Sequence, residues 1–280
     1  MALDQLWMDW IMKQNLHTHT TFCDGIDTPE EMVRIAREKG FDSLGFSGHS
    51  PNRHSTYKHV TMTTTEDYRK EILRLKEKYR EIFPIFMGLE VDLCSDMPFD
   101  GFDYLIGSVH YLWFGQEAVG FDRSVETVKT LIDDRFGGNG MAFARQYYET
   151  IADMPKYGNF DIIGHFDIHT KHIEKIPMFD TEDSAYMKYA TDAMDALQGK
   201  IPFFEVNTGA MARGYRSSPY PMANLIGEFR RRGFGAVISS DCHDGRFLDH
   251  GFAEAEALLR QCGFRERYVL TDSGFVPVAL

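Results

Sequence analysis

The feature that most constrains this chain is an alternation repeated about seven times along its 280 residues: a short apolar run, then a longer stretch with helical spacing. The runs at 15–19, 43–47, 85–91, 104–110, 161–165, 203–207 and 236–240 are bounded by Gly, Pro, Asp or Asn, as buried strands are. The stretches between them have readable ends. Thr28-Pro29-Glu30-Glu31 is a capping box with proline at the first helical position, and Gly40 closes that helix. Met32, Ile35 and Ala36 form its inner stripe, and Tyr68, Ile72, Leu75, Tyr79 and Ile82 form the next, stopped by Pro84. Further stripes are Tyr186, Tyr189, Ala193, Met194 and Leu197, then Leu225, Ile226 and Phe229, then 253–259. At this spacing they read as core.

Strand and helix in strict alternation predict parallel βα units in one α/β domain spanning 1–280. So many units favour a closed or nearly closed barrel over two small open sheets. The segment 113–156 exceeds a simple crossover. It reads as an insertion over the C-terminal face of the strands, a candidate lid, with two helices broken at Gly137-Gly138-Asn139-Gly140.

The eleven histidines add function to this frame, because several sit beside carboxylates at matching strand ends. His17 and His19 end the first run, with Asp24 just beyond; His49 follows the second, and Glu90 lies near the end of the third. His110 ends the fourth, His165 the fifth, and Asp241 and His243 the last. In a parallel barrel these ends converge on one mouth. A His-x-His pair puts both imidazoles on one strand face, and in Asp241-Cys242-His243 the cysteine turns away. A lone histidine at a strand end is ordinarily a hydrogen-bonded loop residue. Joint placement is what points to a metal centre. Three carboxylates and six imidazoles exceed what one ion uses, so two or three divalent ions (zinc, manganese or iron) are expected. Glu90 can bridge two of them through its two oxygens.

Charge and cysteine usage narrow the partners. A net charge of -12 argues against a nucleic-acid track, and the one basic run is Arg230-Arg231-Arg232 at a helix end. No stretch approaches a membrane span, and Met1 to Gln14 carries two aspartates and no apolar signal core. Four scattered cysteines without a CxxC make a reducing cytoplasm the default. Oligomeric state is not encoded legibly.

His17-Thr18-His19-Thr20 with Asp24-Gly25, then Gly48-His49-Ser50, Gly88-Leu89-Glu90, Ser108-Val109-His110, Gly164-His165 and Ser240-Asp241-Cys242-His243 resemble, in order, the motifs of the PHP (polymerase and histidinol phosphatase) family. The resemblance covers 15–243. It implies a distorted (βα)7 TIM-like barrel with a trinuclear metal centre at the mouth. One ion would be held by His17, His19, Glu90 and Asp241, a second by Glu90, His110 and His165, and a third by Asp24, His49 and His243. Thr20-Thr21-Phe22-Cys23 and Glu205-Val206-Asn207-Thr208-Gly209, with Arg213 and Tyr220-Pro221 beyond, resemble the histidinol-phosphatase branch. One departure is Gly25, where many members of that branch carry histidine.

The resemblance implies hydrolysis of a small phosphomonoester, L-histidinol phosphate, by a metal-bridging hydroxide, with Glu90, Asp241 and His243 as the catalytic core. Arg213 is the expected phosphate clamp, while Arg216 reads as a solvated loop arginine. Glu205 and Asn207 are candidates for recognising the amino group and ring of the substrate. His54, His59, His169, His172 and His250 read as surface or loop residues, and Asp244 as a possible proton donor or orienter. Three alternatives share these residues: a PHP phosphoesterase acting on another phosphoester or on nucleic acid, an amidohydrolase-type binuclear hydrolase, and a non-catalytic metal-binding domain.

Overall fold

The barrel is built around Tyr104, and its strands carry glycine where that ring needs room. The computed structural model describes residues 12–55, 60–95 and 99–280. In chain order the elements are β1 (Gln14–Asn15), α1 (Pro29–Glu38), β2 (Ser43–Phe46), α2 (Glu66–Tyr79), β3 (Ile85–Asp92), β4 (Tyr104–Ser108), β5 (Tyr111–Phe114) and β6 (Glu117–Gly120). Then follow α3 (Val125–Phe136), α4 (Gly140–Ala152), β7 (Ile162–Ile163), α5 (Ser184–Leu197), β8 (Phe203–Asn207) and α6 (Gly209–Ala212). The chain closes with α7 (Ala223–Arg231), β9 (Gly235–Ser239), α8 (Phe252–Gln261), β10 (Glu266–Thr271) and β11 (Gly274–Ala279).

Seven strands form one parallel sheet in the order β1-β2-β3-β4-β7-β8-β9. It curls until the chain beyond β1 meets the chain beyond β9: Thr18 bridges Cys242, and His19 N donates to Cys242 O at 2.8 Å. The fold is therefore a distorted, nearly closed seven-stranded α/β barrel. Inside it the Tyr104 hydroxyl donates to Leu16 O and Phe46 O. A Cβ on Gly88 of β3 would lie 2.3 Å from Tyr104 Cζ, so only glycine fits opposite that ring.

The α1 capping box forms as read: Thr28 Oγ1 accepts from Glu31 N, and a Glu31 carboxylate oxygen accepts from Thr28 N at 2.8 Å. The inner stripes of α2, α5 and α7 are buried, Tyr79 and Tyr189 partly so, apart from Ile82. Ile82 lies past the end of α2 and is 62% exposed, because the helix stops at Tyr79. In the long segment, Gly137 takes a left-handed φ of 59° at the end of α3, and Asn139 caps α4. The β5–β6 hairpin before α3 was not anticipated, nor was the C-terminal β10–β11 hairpin. The latter packs Leu270, Tyr268 and Phe275 onto Phe203 and the barrel interior. Among the described residues, no helix is long and apolar enough to cross a membrane.

Candidate metal centre

Beyond the strand ends the backbone leaves regular pairing, and the histidines and carboxylates begin there. β1 and β7 are two residues each, so His17, His19 and His165 stand on irregular chain just past them. Glu90 lies within β3, and His49, after β2, bridges to it in parallel fashion. Asp241 follows β9 with a φ of 47°, a left-handed conformation that Asp tolerates better than most residues.

Glu90 is the hub, and it is fully buried. Its Oε1 lies 2.9 Å from His165 Nε2 and 3.6 Å from His110 Nε2. Its Oε2 lies 2.7 Å from His49 Nδ1, 3.3 Å from His17 Nε2 and 3.6 Å from His19 Nε2. Asp241 Oδ1 is 3.1 Å from His19 Nε2 and 3.7 Å from His17 Nε2. Asp24 Oδ1 is 3.2 Å from His243 Nε2 and 3.7 Å from His49 Nε2. All nine sequence candidates thus meet in one place.

Three sets of donor atoms lie close enough to share an ion each: His19, Asp24, His49 and His243; His17, His19 and Asp241; and His49, Glu90 and His110. This grouping differs from the one the resemblance implies. His19 reaches towards the Asp24 set as well as Asp241, and the two nitrogens of His49 face Glu90 and Asp24 separately. The donors fit divalent cations on another observation too. His17 Nε2, His19 Nε2, Asp24 Oδ1 and Glu90 Oε2 are buried and make no well-aligned hydrogen bond although they face one another or other ring nitrogens and carboxylate oxygens of the cluster, a costly state for polar atoms unless a cation lies between them.

The electrostatics have the same sense. Burial alone would raise the Glu90 carboxyl, yet His49, His17 and His110 hold it well below the usual carboxylate range. Burial alone would lower His17, but Glu205, Glu90 and Asp241 lift it well above the ordinary imidazole value. His49 and His110 are raised against burial by Glu90, with Asp24 and Asp92 helping respectively. His19 goes the other way, to about 3, through burial and its neighbours His243 and His49. Without ions, protons on His17, His49 and His110 supply the positive charge that the carboxylates require.

Partners behind the cluster orient its rings. Asp92, two residues past Glu90 and so on the same strand face, accepts from His110 Nδ1 at 3.0 Å and leaves Nε2 directed at Glu90. Cys23 Sγ lies 3.5 Å from His19 Nδ1, and burial pushes its thiol up, so it is no thiolate nucleophile. Arg213 donates to Asp241 Oδ2 at 2.9 Å and to Asp241 O at 3.0 Å, and Asp241 is held well below its usual range against its burial.

Above the cluster is a cavity of about 330 Å³. Arg213 and seven of the nine candidates line it, while His17 and His19 lie beneath. Asp122, Lys171 and Tyr215 also line it, and none of them stood out in sequence because they come from the β6 exit and from loops. Asp122 pairs with Lys171 at 3.0 Å. From the inserted segment, Gly120 of the hairpin and Thr127 of α3 reach the cavity wall, as does Tyr111 just before that segment, whereas α4 packs against α5 in the outer layer.

Several expectations are corrected. Glu205 and Asn207 do not line the cavity; both are buried under the cluster with their polar atoms engaged by protein. Arg216 is buried rather than solvated, donating to Thr170 Oγ1 at 2.6 Å and lying 3.7 Å from Asp167. His169 and His172 are buried too, because the turn at 168–170 tucks under α4 and α5, where His169 stacks on Tyr147 at 4.2 Å. His54 stands beside Trp113, His250 is half-buried, and His59 lies outside the described residues. Asp244 caps the turn at 245–247, pairs with Arg246 and stays out of the cavity. At Gly25 a Cβ would lie 2.4 Å from Thr20 N, so this backbone has no room for the histidine that others carry there.

A seven-stranded parallel barrel with a His/Asp/Glu cluster at its mouth defines a metal-site barrel protein, and comparison with known proteins makes the class specific. The model of the PHP domain matches residues 15–209, and the chain belongs to that family. A Deinococcus radiodurans protein named "Probable histidinol-phosphatase" is 28% identical over 263 residues, covering 89% of this chain and 93% of its own. The histidinol-phosphatase of Bacillus subtilis is 26% identical over 275 residues, covering 90% of this chain and 100% of its own. Among solved structures, the histidinol phosphate phosphatase of Lactococcus lactis, crystallised with zinc, L-histidinol and phosphate, superposes with a TM-score of 0.71. It is 19% identical and covers 95% of this chain and 99% of its own.

Proposed function

We propose that this protein is a metal-dependent phosphomonoester hydrolase that converts L-histidinol phosphate and water to L-histidinol and phosphate. The observation that carries the reading is the convergence of nine ligand side chains, Glu90 and Asp241 among them, at the floor of a single cavity with Arg213 at its edge. The naming of relatives that span about nine-tenths of the chain supports the substrate.

His17, His19, Asp24, His49, Glu90, His110, His165, Asp241 and His243 would hold two or three divalent ions, zinc, manganese or iron. Such ions lower the pKa of a water and offset the charge that develops on phosphate oxygens. The protein's own groups do the rest. Three divalent ions held against the three carboxylate ligands would make the cavity floor a local positive centre of about +3 within an acidic molecule, and two ions a centre of about +1. That centre favours a compact anion able to enter the mouth. Arg213 presents a guanidinium fork at the edge of this floor, suited to phosphate oxygens. Asp122 is the carboxylate of the cavity wall that neither joins the cluster nor bonds one of its histidines; with Oδ2 paired to Lys171, it would share its charge with the ammonium group of the substrate. In the hydrolysis the water oxygen bonds to phosphorus, the P–O bond to the alcohol breaks, and the departing oxygen takes up a proton.

The ion pairs in the basic run support a small substrate over nucleic acid: Arg232 pairs with Asp195 and Glu228, and Arg231 with Glu228. Free cysteines and an acidic surface suit the cytoplasm. The test is phosphate release across a panel of phosphoesters with Mn²⁺ or Zn²⁺. Histidinol phosphate should be turned over fastest, and chelation should stop it. Inertness towards histidinol phosphate with turnover of a dinucleotide would overturn the substrate assignment.

A further inference from the structure

Glu205 lies in β8, between the strands that end in His165 and in Asp241. Four donors converge on its buried carboxylate. Oε2 accepts from His17 Nδ1 at 2.9 Å and from Ser239 Oγ at 2.5 Å. Oε1 accepts from the backbone N of His165 at 2.6 Å and from Asn207 Nδ2 at 2.8 Å. One side chain thus ties together the chain beyond β1, the chain beyond β7, and β9. Its neighbours are His17 and His165, both in contact with Glu90.

We propose that Glu205 is a positioning residue of the metal centre: it fixes His17 in the tautomer that presents Nε2 to Glu90 and Asp241, and it anchors the backbone that carries His165. The inference rests on the metal-centre reading above. A neutral imidazole has one proton, and a carboxylate holding it on Nδ1 leaves the Nε2 lone pair free for a cation. Nothing but a carboxylate serves all four donors, because an amide has one acceptor oxygen and one NH₂ group.

Glu205→Gln makes this sharp. If the new NH₂ replaces Oε1, it faces the His165 backbone N–H, which cannot reverse, and the Asn207 amide, whose own oxygen is held by Gly209 N at 2.9 Å. If it replaces Oε2, Ser239 can rotate to accept, and His17 can accept by moving its proton to Nε2. The second arrangement is the cheaper one, and it places a proton on the atom aimed at the cation.

The experiment titrates wild-type and Glu205→Gln protein with Zn²⁺ against a chromophoric chelator, with circular dichroism to establish that the variant is folded. The expected result is a folded variant that binds its weakest ion about 10- to 100-fold less tightly, the usual loss for a removed outer partner. A purely architectural glutamate would leave zinc affinity unchanged in folded protein. A second measurement needs no variant: long-range ¹H–¹⁵N imidazole spectra of zinc-loaded wild type, in which His17 should carry its proton on Nδ1. Folded Glu205→Gln with zinc affinity within about threefold of wild type, or a wild-type His17 protonated on Nε2, overturns the proposal. If wild-type protein takes up no zinc, the metal-centre reading falls with it; if wild type binds zinc and the variant binds equally, only the role of Glu205 falls.

Discussion

Replacing Glu90 by glutamine changes one atom and removes one charge, at the point where most of the cluster meets. The native carboxylate puts Oε1 near His165 and His110, and Oε2 near His49, His17 and His19. An amide has one donor-free oxygen at most, so whichever way it turns, one side of the cluster faces an NH₂ group that cannot bind a cation. Both sides of the cluster, the one facing Oε1 and the one facing Oε2, lose the negative charge between them. If each loses at least the 10- to 100-fold typical of a missing outer partner, zinc affinity falls by about 10² to 10⁴ in total. That is about 3 to 5.5 kcal/mol at 1.4 kcal/mol per decade. The assay is competition for Zn²⁺ with a chelator of known affinity, run beside phosphate release from histidinol phosphate. Activity should fall by at least about a thousandfold, since both charge neutralisation and water activation depend on the same ions. A variant that keeps zinc affinity within about threefold and turnover within about tenfold would refute the view of Glu90 as the hub.

Arg213→Met should weaken competitive inhibition by inorganic phosphate about tenfold, matching the loss of one charge-assisted hydrogen bond, measured as Ki; an unchanged Ki removes Arg213 from the phosphate site. Asp122→Asn should raise KM for histidinol phosphate about tenfold while leaving p-nitrophenyl phosphate, which lacks an ammonium group, nearly unaffected; equal effects on both would deny it a role in amine recognition. The metal-free protein should have an unusual pH profile. His17, His49 and His110 are raised when folded, so their stabilisation is complete below the unfolded value of about 6.5 and disappears as pH rises through their folded values. Glu90, Asp24 and Asp241 are lowered, so their stabilisation is present above an unfolded value of about 4 and is lost as pH falls through their folded values. The metal-free Tm should therefore decline as pH rises above about 6.5, and the zinc-loaded Tm should rise, because zinc displaces protons. Parallel profiles for the two forms would contradict the coupling.

The alternation of strands and helices was legible because βα units repeat one pattern, and the nine cluster residues were legible because they sit near the C-terminal ends of the strands or in the chain just beyond. The hairpins were missed for different reasons. Residues 111–120 lay inside a stretch dominated by helical spacing. In β10–β11, by contrast, alternating apolar residues flank Asp272-Ser273-Gly274, a hairpin signal available in the sequence. Asp92 could also have been found, since it shares a strand face with Glu90. The role of Glu205 could not. Its four donors come from positions as far apart as His17 and Ser239, and only closure of the barrel brings them to one carboxylate. Burial of Arg216, His169 and His172 likewise depends on how the loop after β7 folds under α4 and α5, which no local pattern records.

The most direct measurement is anomalous diffraction at the zinc edge from crystals of the zinc-loaded protein. Two or three peaks should appear at the mouth, with the Glu90 carboxylate contacting at least two of them and His17 Nε2 contacting one. No peak there, or a single ion that does not touch Glu90, would contradict the account.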